Sequence, residues 1–155
     1  MKTRMNYYAK APELLKQMTA LNTAVEQSGL DHKIIHLVRL RASQINGCAF
    51  CVDMHVKEGR RDGETEQRLH LVSAWRESPL FTDRERAALE WTEALTLVAD
   101  THVADEIYER VAAHFKEAEL VALTFAVVVI NSWNRLSISF RPLVGTYQPA
   151  AVAAV

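Results

Sequence analysis

The sequence has little of what a disulfide-stapled or fibrous protein needs. Its 155 residues include only two cysteines, five glycines and four prolines, while 49% of them are hydrophobic. A chain of this length buries roughly two-thirds of its unfolded surface, so it needs no disulfide framework to support a core. The composition predicts one globular domain over residues 1–155, with a core over about residues 14–141, and leaves the two cysteines to be explained otherwise.

Neither sign of charge is in excess. Eighteen basic and nineteen acidic residues give a formal net charge of −1, which provides no electrostatic surface for nucleic acid or an anionic membrane. Lys2 and Arg4 are not followed by an apolar segment, so the N-terminus does not resemble a secretory signal. We therefore expect a cytoplasmic protein without nucleic-acid or membrane partners.

A long hydrophobic run is also missing. The longest, residues 120–130, has 11 residues including Thr124 and is closed by Asn131, whereas a membrane-spanning helix needs about 20. This run predicts a buried helix in a soluble core. The polar residues that follow it, Asn131, Asn134 and Arg135, are expected to hydrogen-bond with other helices or with a neighbouring subunit.

Hydrophobic periodicity indicates helices throughout the chain. Apolar residues recur at spacings of three and four rather than two, which predicts an all-α bundle of six to seven helices. Pro12, the Thr82–Glu85 capping pair and the glycines at helix ends fix the boundaries. The predicted helices span about residues 12–29, 31–46, 48–61, 65–75, 82–98, 103–115 and 117–140. The tail from Pro142 to Val155 is assigned no firm structure.

Both cysteines lie in one short motif, Gly47-Cys48-Ala49-Phe50-Cys51, at a predicted helix start. On a helix, Cys48 and Cys51 lie about 4.5 Å apart along the axis and about 60° apart around it, so they can form a disulfide. His55 is four residues beyond Cys51 and shares its face, where it can exchange a proton with the sulfur. Free N–H groups at the helix start stabilise a thiolate, which is the nucleophile.

The preceding helix adds a candidate partner for His55. If Asn46-Gly47 is a tight connection, the two flanking helices are antiparallel and residue 36 lies opposite residue 57. His36 is then within a turn of His55 and Glu58, and Glu58 follows His55 by three residues. A relay from Cys51 to His55, and then to His36 or Glu58, is geometrically reasonable.

Two other interpretations of the motif compete with redox chemistry. The cysteines can be buried thiols that pack as small hydrophobic groups. Alternatively, Cys48, Cys51, His55 and His36 offer two sulfur and two nitrogen ligands to zinc, as in a metal-binding or redox-sensing protein without turnover. The position at a helix start with a histidine on the same face favours redox function over both.

Two segments resemble a known family. Residues 40–55 resemble the core motif of the carboxymuconolactone decarboxylase superfamily, specifically its alkylhydroperoxidase D-like (AhpD-like) branch, and residues 131–136 are similar to a segment of the family's terminal helix. The resemblance implies an all-α homotrimer or homohexamer that reduces hydroperoxides without a cofactor or metal. A dithiol donor, a lipoyl-type or thioredoxin-like protein, would restore the thiols.

The resemblance also implies a role for each residue of the motif. Cys51 matches the cysteine that attacks the peroxide, Cys48 the cysteine that closes the disulfide, and His55 the relay histidine. The family has a glutamate where this chain has His36, and a well-known member has a histidine at Phe50. Because imidazole becomes cationic when it accepts a proton, we expect a different pH profile. By analogy with the superfamily alone, lactone decarboxylation is a third possibility. Members with that activity do not rely on a cysteine pair, so the motif argues against it.

Overall fold

The computed structural model describes residues 2–150, and over that range it contains helices and turns without a β-strand. One 3₁₀ segment, Val72–Glu77, follows the fifth helix. The α-helices are α1 Tyr7–Lys10, α2 Pro12–Glu26, α3 His32–Ile45, α4 Ala49–Arg61, α5 Glu66–Leu71, α6 Asp83–Thr96, α7 Val98–Thr101, α8 Asp105–Ala112 and α9 Glu117–Phe140.

The predicted all-α class is confirmed, and the predicted number of helices is too low. Residues 2–150 form nine α-helices because two short ones, α1 and α7, have four residues each and no hydrophobic periodicity to reveal them. Residues 142–150 form no regular element. Met1 and residues 151–155, which belong to the predicted domain and tail, lie outside the described residues.

Three helices, α3, α6 and α9, pack against one another and form the centre of the fold. Helix α4, which carries the cysteine motif, packs against α3. The main core combines buried apolar side chains from these helices, including Ile35, Val38, Ala88, Leu123 and Val127. Burying a Val, Leu or Ile side chain contributes roughly 1.5–3 kcal/mol to folding. The core thus fixes the helix on which α4 rests.

The starts of the central helices follow the predicted capping signals. The Asp31 side chain accepts the backbone N–H of Lys33 at 2.9 Å at the start of α3. Thr82 and Glu85 form the predicted capping box of α6. These side chains satisfy N–H groups that the first helical turn leaves without partners. The starts of α3 and α6 are therefore set by local sequence.

A polar junction holds the turn between α3 and α4 against α9. The Asn46 amide donates to the side-chain oxygens of Asn131 at 3.0 Å and Asn134 at 2.9 Å. The Asn134 amide donates in turn to Ser43 at 3.0 Å. Gly47 follows with a φ of +68°, a left-handed conformation that glycine adopts without strain. The predicted hydrogen bonding of Asn131 and Asn134 to another part of the chain is confirmed, and it positions Asn46, two residues before Cys48.

Helix α9 is, by length and composition, the helix among residues 2–150 that could cross a membrane. The core helix of a soluble protein meets the same criterion, and ten of the α9 side chains are buried within this chain. Val121, Phe125 and Val128 on its other side are about half exposed. Helix α9 therefore combines a core face with an uncovered apolar face.

Candidate active site

The two cysteines lie at the first turn of α4 and are joined by a disulfide. Cys48 is the N-cap residue, and its Sγ accepts the backbone N–H of Cys51 at 3.4 Å. The Cα atoms are 5.3 Å apart, and both side chains are buried. The predicted bridging of this pair is confirmed. In the dithiol state, the same Cys51 N–H would stabilise a thiolate at Cys48.

His55 lies one turn further along α4 and is 4% exposed. Its Nδ1 is 2.9 Å from Oε2 of Glu58, while its Nε2 is buried and has no hydrogen-bond partner among the described residues. Burial lowers the pKa of His55 below its ordinary value, and the bond to Glu58 opposes this effect only in part. The ring is therefore neutral at pH 7, with Nδ1–H donating to Glu58 and a free lone pair on Nε2.

Glu58 holds the His55 ring through one oxygen and is itself held through the other. The phenolic O–H of Tyr147 donates to Oε1 of Glu58 at 2.6 Å. Burial acts to raise the pKa of Glu58, but the hydrogen bonds from His55 and Tyr147 outweigh it and hold the pKa at about 2. Glu58 is therefore a carboxylate at any physiological pH, which suits an acceptor that orients an imidazole.

His36 does not hydrogen-bond with His55 or Glu58. Its Nε2 lies 2.7 Å from Oδ2 of Asp62, at the C-terminal end of α4. His36 is close enough for a charge on it to lower the pKa of His55. Of the two relay partners that the sequence left open for His55, the structure joins Glu58 to it directly and places His36 in a separate pair.

A cavity of about 230 Å³ opens beside Cys51 and His55. Apolar side chains in its wall include Phe50, Met54, Ile130 and Trp133. Arg39 of α3, which is 5% exposed, lies on the polar side. Such a mixed lining is typical of pockets that accept a small organic molecule with one polar end.

Sequence reasoning missed two residues of this site, Arg39 and Tyr147. The Arg39 guanidinium donates to the Glu26 carboxylate and, at 3.1 Å, to Asn22 of α2. Arg39 is three residues beyond His36, so the helical face that carries His36 was the signal that could have found it. Tyr147 follows the last helix in a segment without periodicity, and no sequence signal marks it.

A second cavity, of about 430 Å³, has Cys48 rather than Cys51 in its wall. It is lined by Cys48, by Phe50, and by tail residues including Pro142, Leu143 and Val144. Each of the two cysteines thus lines a different cavity.

The zinc alternative finds no matching geometry. Within residues 2–150, no group of three or more His, Cys, Asp or Glu side chains is placed to hold a metal ion. The two sulfurs are bonded to each other, and His36 faces Asp62 rather than the cysteines. The arrangement instead combines a disulfide with a buried neutral imidazole and a carboxylate bonded to it.

Comparison with known proteins identifies the family. The family model described as the carboxymuconolactone decarboxylase family matches residues 12–94. The chain is 43% identical over 139 residues to the uncharacterized protein YdfG of Bacillus subtilis (strain 168), covering 90% of this chain and 95% of YdfG.

Solved structures share the fold. A protein of unknown function from Agrobacterium tumefaciens, described as a candidate antioxidant defence protein AhpD, superposes with a TM-score of 0.89 at 50% identity, covering 96% of this chain and 99% of that one. An uncharacterized peroxidase-related protein from Silicibacter sp. TM1040 superposes with a TM-score of 0.79 at 20% identity, covering 90% and 74%. This chain therefore belongs to the carboxymuconolactone decarboxylase family, in its AhpD-like branch.

Proposed function

We propose that the protein is a thiol-dependent peroxidase of the alkylhydroperoxidase type, which cycles Cys48 and Cys51 between dithiol and disulfide. The observation that carries the proposal is the Cys48–Cys51 disulfide one helical turn from a buried, neutral imidazole whose Nε2 is free. A thiol at Cys51 supplies the proton that this nitrogen lacks. The family and its peroxidase-related structural neighbours support enzymatic activity of this kind.

The oxidative half of the cycle uses Cys51 and His55. Nε2 of His55 accepts the proton of the Cys51 thiol, and Glu58 stabilises the resulting imidazolium through Nδ1–H. The thiolate attacks the terminal oxygen of the hydroperoxide, the O–O bond breaks, and the alkoxide leaves with the imidazolium proton as an alcohol. Cys51 is oxidised to a sulfenic acid.

Cys48 completes the oxidation. Its thiolate attacks the sulfur of the Cys51 sulfenic acid, the S–S bond forms, and hydroxide leaves with the Cys48 proton as water. The structure corresponds to this oxidised state. A dithiol donor then supplies two electrons and two protons by thiol–disulfide exchange, and a lipoyl-type or thioredoxin-like protein has the required chemistry.

The two cavities suit the two halves of the cycle. The cavity beside Cys51 and His55 suits a small organic hydroperoxide, with its carbon group against Phe50 and Trp133. The cavity beside Cys48 gives a donor thiol a separate approach to the disulfide. The cycle as written requires neither a metal nor an organic cofactor.

Assembly and location are further parts of the proposal. The exposed apolar face of α9 at Val121, Phe125 and Val128 supports a homo-oligomer, trimer or hexamer, that covers it. The cytoplasm, where thiols are kept reduced between turnovers, suits a protein that must regain its dithiol.

Thiol counting with metal analysis tests the proposal. The reduced protein receives one equivalent of cumene hydroperoxide, and free thiols and bound zinc are measured before and after. We expect both thiols to be lost, one alcohol to form per disulfide, and a Cys48→Ser variant to stop at a sulfenic acid that dimedone traps on Cys51. Retention of both thiols, or thiols masked by stoichiometric zinc, would refute it and favour the metal-binding or redox-sensing alternative.

A further inference from the structure

The segment after α9 folds back along α4 and is fastened to it. We name residues 145–150 the C-terminal strap. The Lys57 ammonium donates to the carbonyl oxygens of Gly145 at 3.2 Å and Tyr147 at 3.0 Å, and it pairs with Asp53 at 2.9 Å. Asp53 also accepts the N–H of Gly145 at 3.3 Å. These bonds fix the backbone on both sides of Thr146 and so determine where the Tyr147 side chain lies.

The strap delivers one hydroxyl group to the candidate active site. Tyr147 O–H donates to Oε1 of Glu58, while Oε2 of the same carboxylate accepts Nδ1–H of His55. A carboxylate held by one bond can rotate about its last torsion or turn toward another cation. Held through both oxygens, it stays in the plane that the imidazole requires.

We propose that Tyr147 is a positioning residue of the proton relay, which fixes the Glu58 carboxylate so that His55 keeps its Nδ1–H on Glu58 and its Nε2 lone pair free for the proton of Cys51. The catalytic importance of Tyr147 rests on the proposed peroxidase function. The effect of Tyr147 on His55 and Cys51 is independent of that function, because the rate at which an alkylating agent modifies Cys51 reports on the relay without any peroxide.

The charges around the relay show what a free Glu58 would do. Arg39 of α3 lies near both His55 and Glu58. Arg61 and Asp62, at the C-terminal end of α4, lie near Tyr147. A Glu58 carboxylate released by Tyr147 can turn toward Arg39, which leaves His55 without its acceptor. His36 also faces His55, and a charge on it opposes protonation of the ring.

Tyr147 is suited to act as a constant donor. Burial and the bond to Glu58 raise the pKa of its hydroxyl to about 12. The O–H therefore remains protonated wherever His55 titrates, so the relay keeps its orientation as His55 gains and loses a proton.

Replacing Tyr147 with phenylalanine removes the hydroxyl and retains the ring. In a Cys48→Ser background, Cys51 is the sole thiol, and its rate of alkylation by iodoacetamide is measured from about pH 5 to about pH 10. Loss of Glu58 positioning weakens the imidazolium that stabilises the thiolate. We expect Tyr147→Phe to raise the midpoint pH of alkylation by about 0.5–1 unit. Thr146→Val, which removes a strap hydroxyl bonded only to the Leu143 carbonyl, should leave the midpoint unchanged.

Glu58→Gln decides whether Tyr147 acts through Glu58. We expect Tyr147→Phe to move the midpoint by less than about 0.2 unit when Glu58 is already glutamine, since the group it positions is gone. An unchanged or lowered midpoint in Tyr147→Phe, or an equal rise in the Glu58→Gln background, would overturn the proposal. Peroxide consumption by the unmodified protein is assayed separately. If the midpoint shifts occur but the unmodified protein does not consume peroxide, the positioning role of Tyr147 stands and the proposed peroxidase function is refuted.

Discussion

Replacing Asn46 with alanine tests what holds the turn before the cysteine motif. The Asn46 amide donates to the side-chain oxygens of Asn131 and Asn134 on α9. Asn131 keeps a second donor, the Arg135 guanidinium at 3.0 Å. The Asn134 oxygen has Asn46 as its one donor among the described residues, and that side chain is 0% exposed. The two acceptors are therefore affected unequally.

The magnitude follows from this difference. Losing the bond to Asn131 costs about 1 kcal/mol, the net value of one neutral hydrogen bond. Losing the bond to Asn134 leaves a buried acceptor without a partner, which costs about 1–3 kcal/mol. We expect Asn46→Ala to lower the free energy of unfolding by about 2–4 kcal/mol. Asn46→Asp should be worse at pH 7, because it turns a carboxylate toward two carbonyl oxygens.

Urea unfolding followed by circular dichroism measures the effect. The matched control is Gln27→Ala, which removes an exposed amide and should change stability by no more than about 0.5 kcal/mol. A double-mutant cycle of Asn46→Ala with Asn134→Ala should give a coupling of about 1 kcal/mol or more. If Asn46→Ala behaves like the Gln27 control, the junction with α9 does not hold the turn and the reasoning fails.

Four further predictions concern the relay and the assembly. Burial lowers the pKa of His55, so its ring becomes protonated and stops acting as a base only below about pH 6.5. Peroxide-dependent thiol loss should therefore slow as the pH falls below about 6.5, and a decline between pH 7 and about 6.5 would contradict this. Glu58→Gln removes the charge that stabilises the imidazolium and should slow thiol loss at pH 7 by about 10-fold or more in stopped-flow assays, while an unaltered rate would remove Glu58 from the relay. His36→Gln, which disrupts the pair with Asp62, should leave the rate within about twofold, and a larger loss would restore His36 to the relay. Phe125→Asp places a charge on the exposed apolar face of α9 and should reduce the mass measured by light scattering, whereas an unchanged mass places the interface elsewhere.

The sequence was most informative where structure is set locally. The spacing of Cys48, Cys51 and His55 predicts one shared helical face because α-helix geometry fixes the positions of residues three and four apart. The disulfide and the His55–Glu58 bond agree with that geometry. The capping signals at Asp31 and Thr82 placed helix starts correctly for the same reason.

Contacts between distant segments were harder to predict. The assumed tight turn puts His36 opposite residue 57. The partner of His36 is instead Asp62, which lies five residues further along, at the C-terminal end of α4. A hairpin rule sets only an approximate register, and it does not set the direction of a side chain. Tyr147 reaches Glu58 across 89 residues, and its position depends on the path of a segment without periodicity, which no local pattern encodes.

The cap at Cys48 has a consequence for how the protein changes oxidation state. Its sulfur accepts the Cys51 amide while it is bonded to Cys51, and a thiolate at the same atom is an even better acceptor. The first turn of α4 thus keeps the same cap whether the two sulfurs are bonded to each other or not. Interconversion of the dithiol and the disulfide then requires no unwinding of α4.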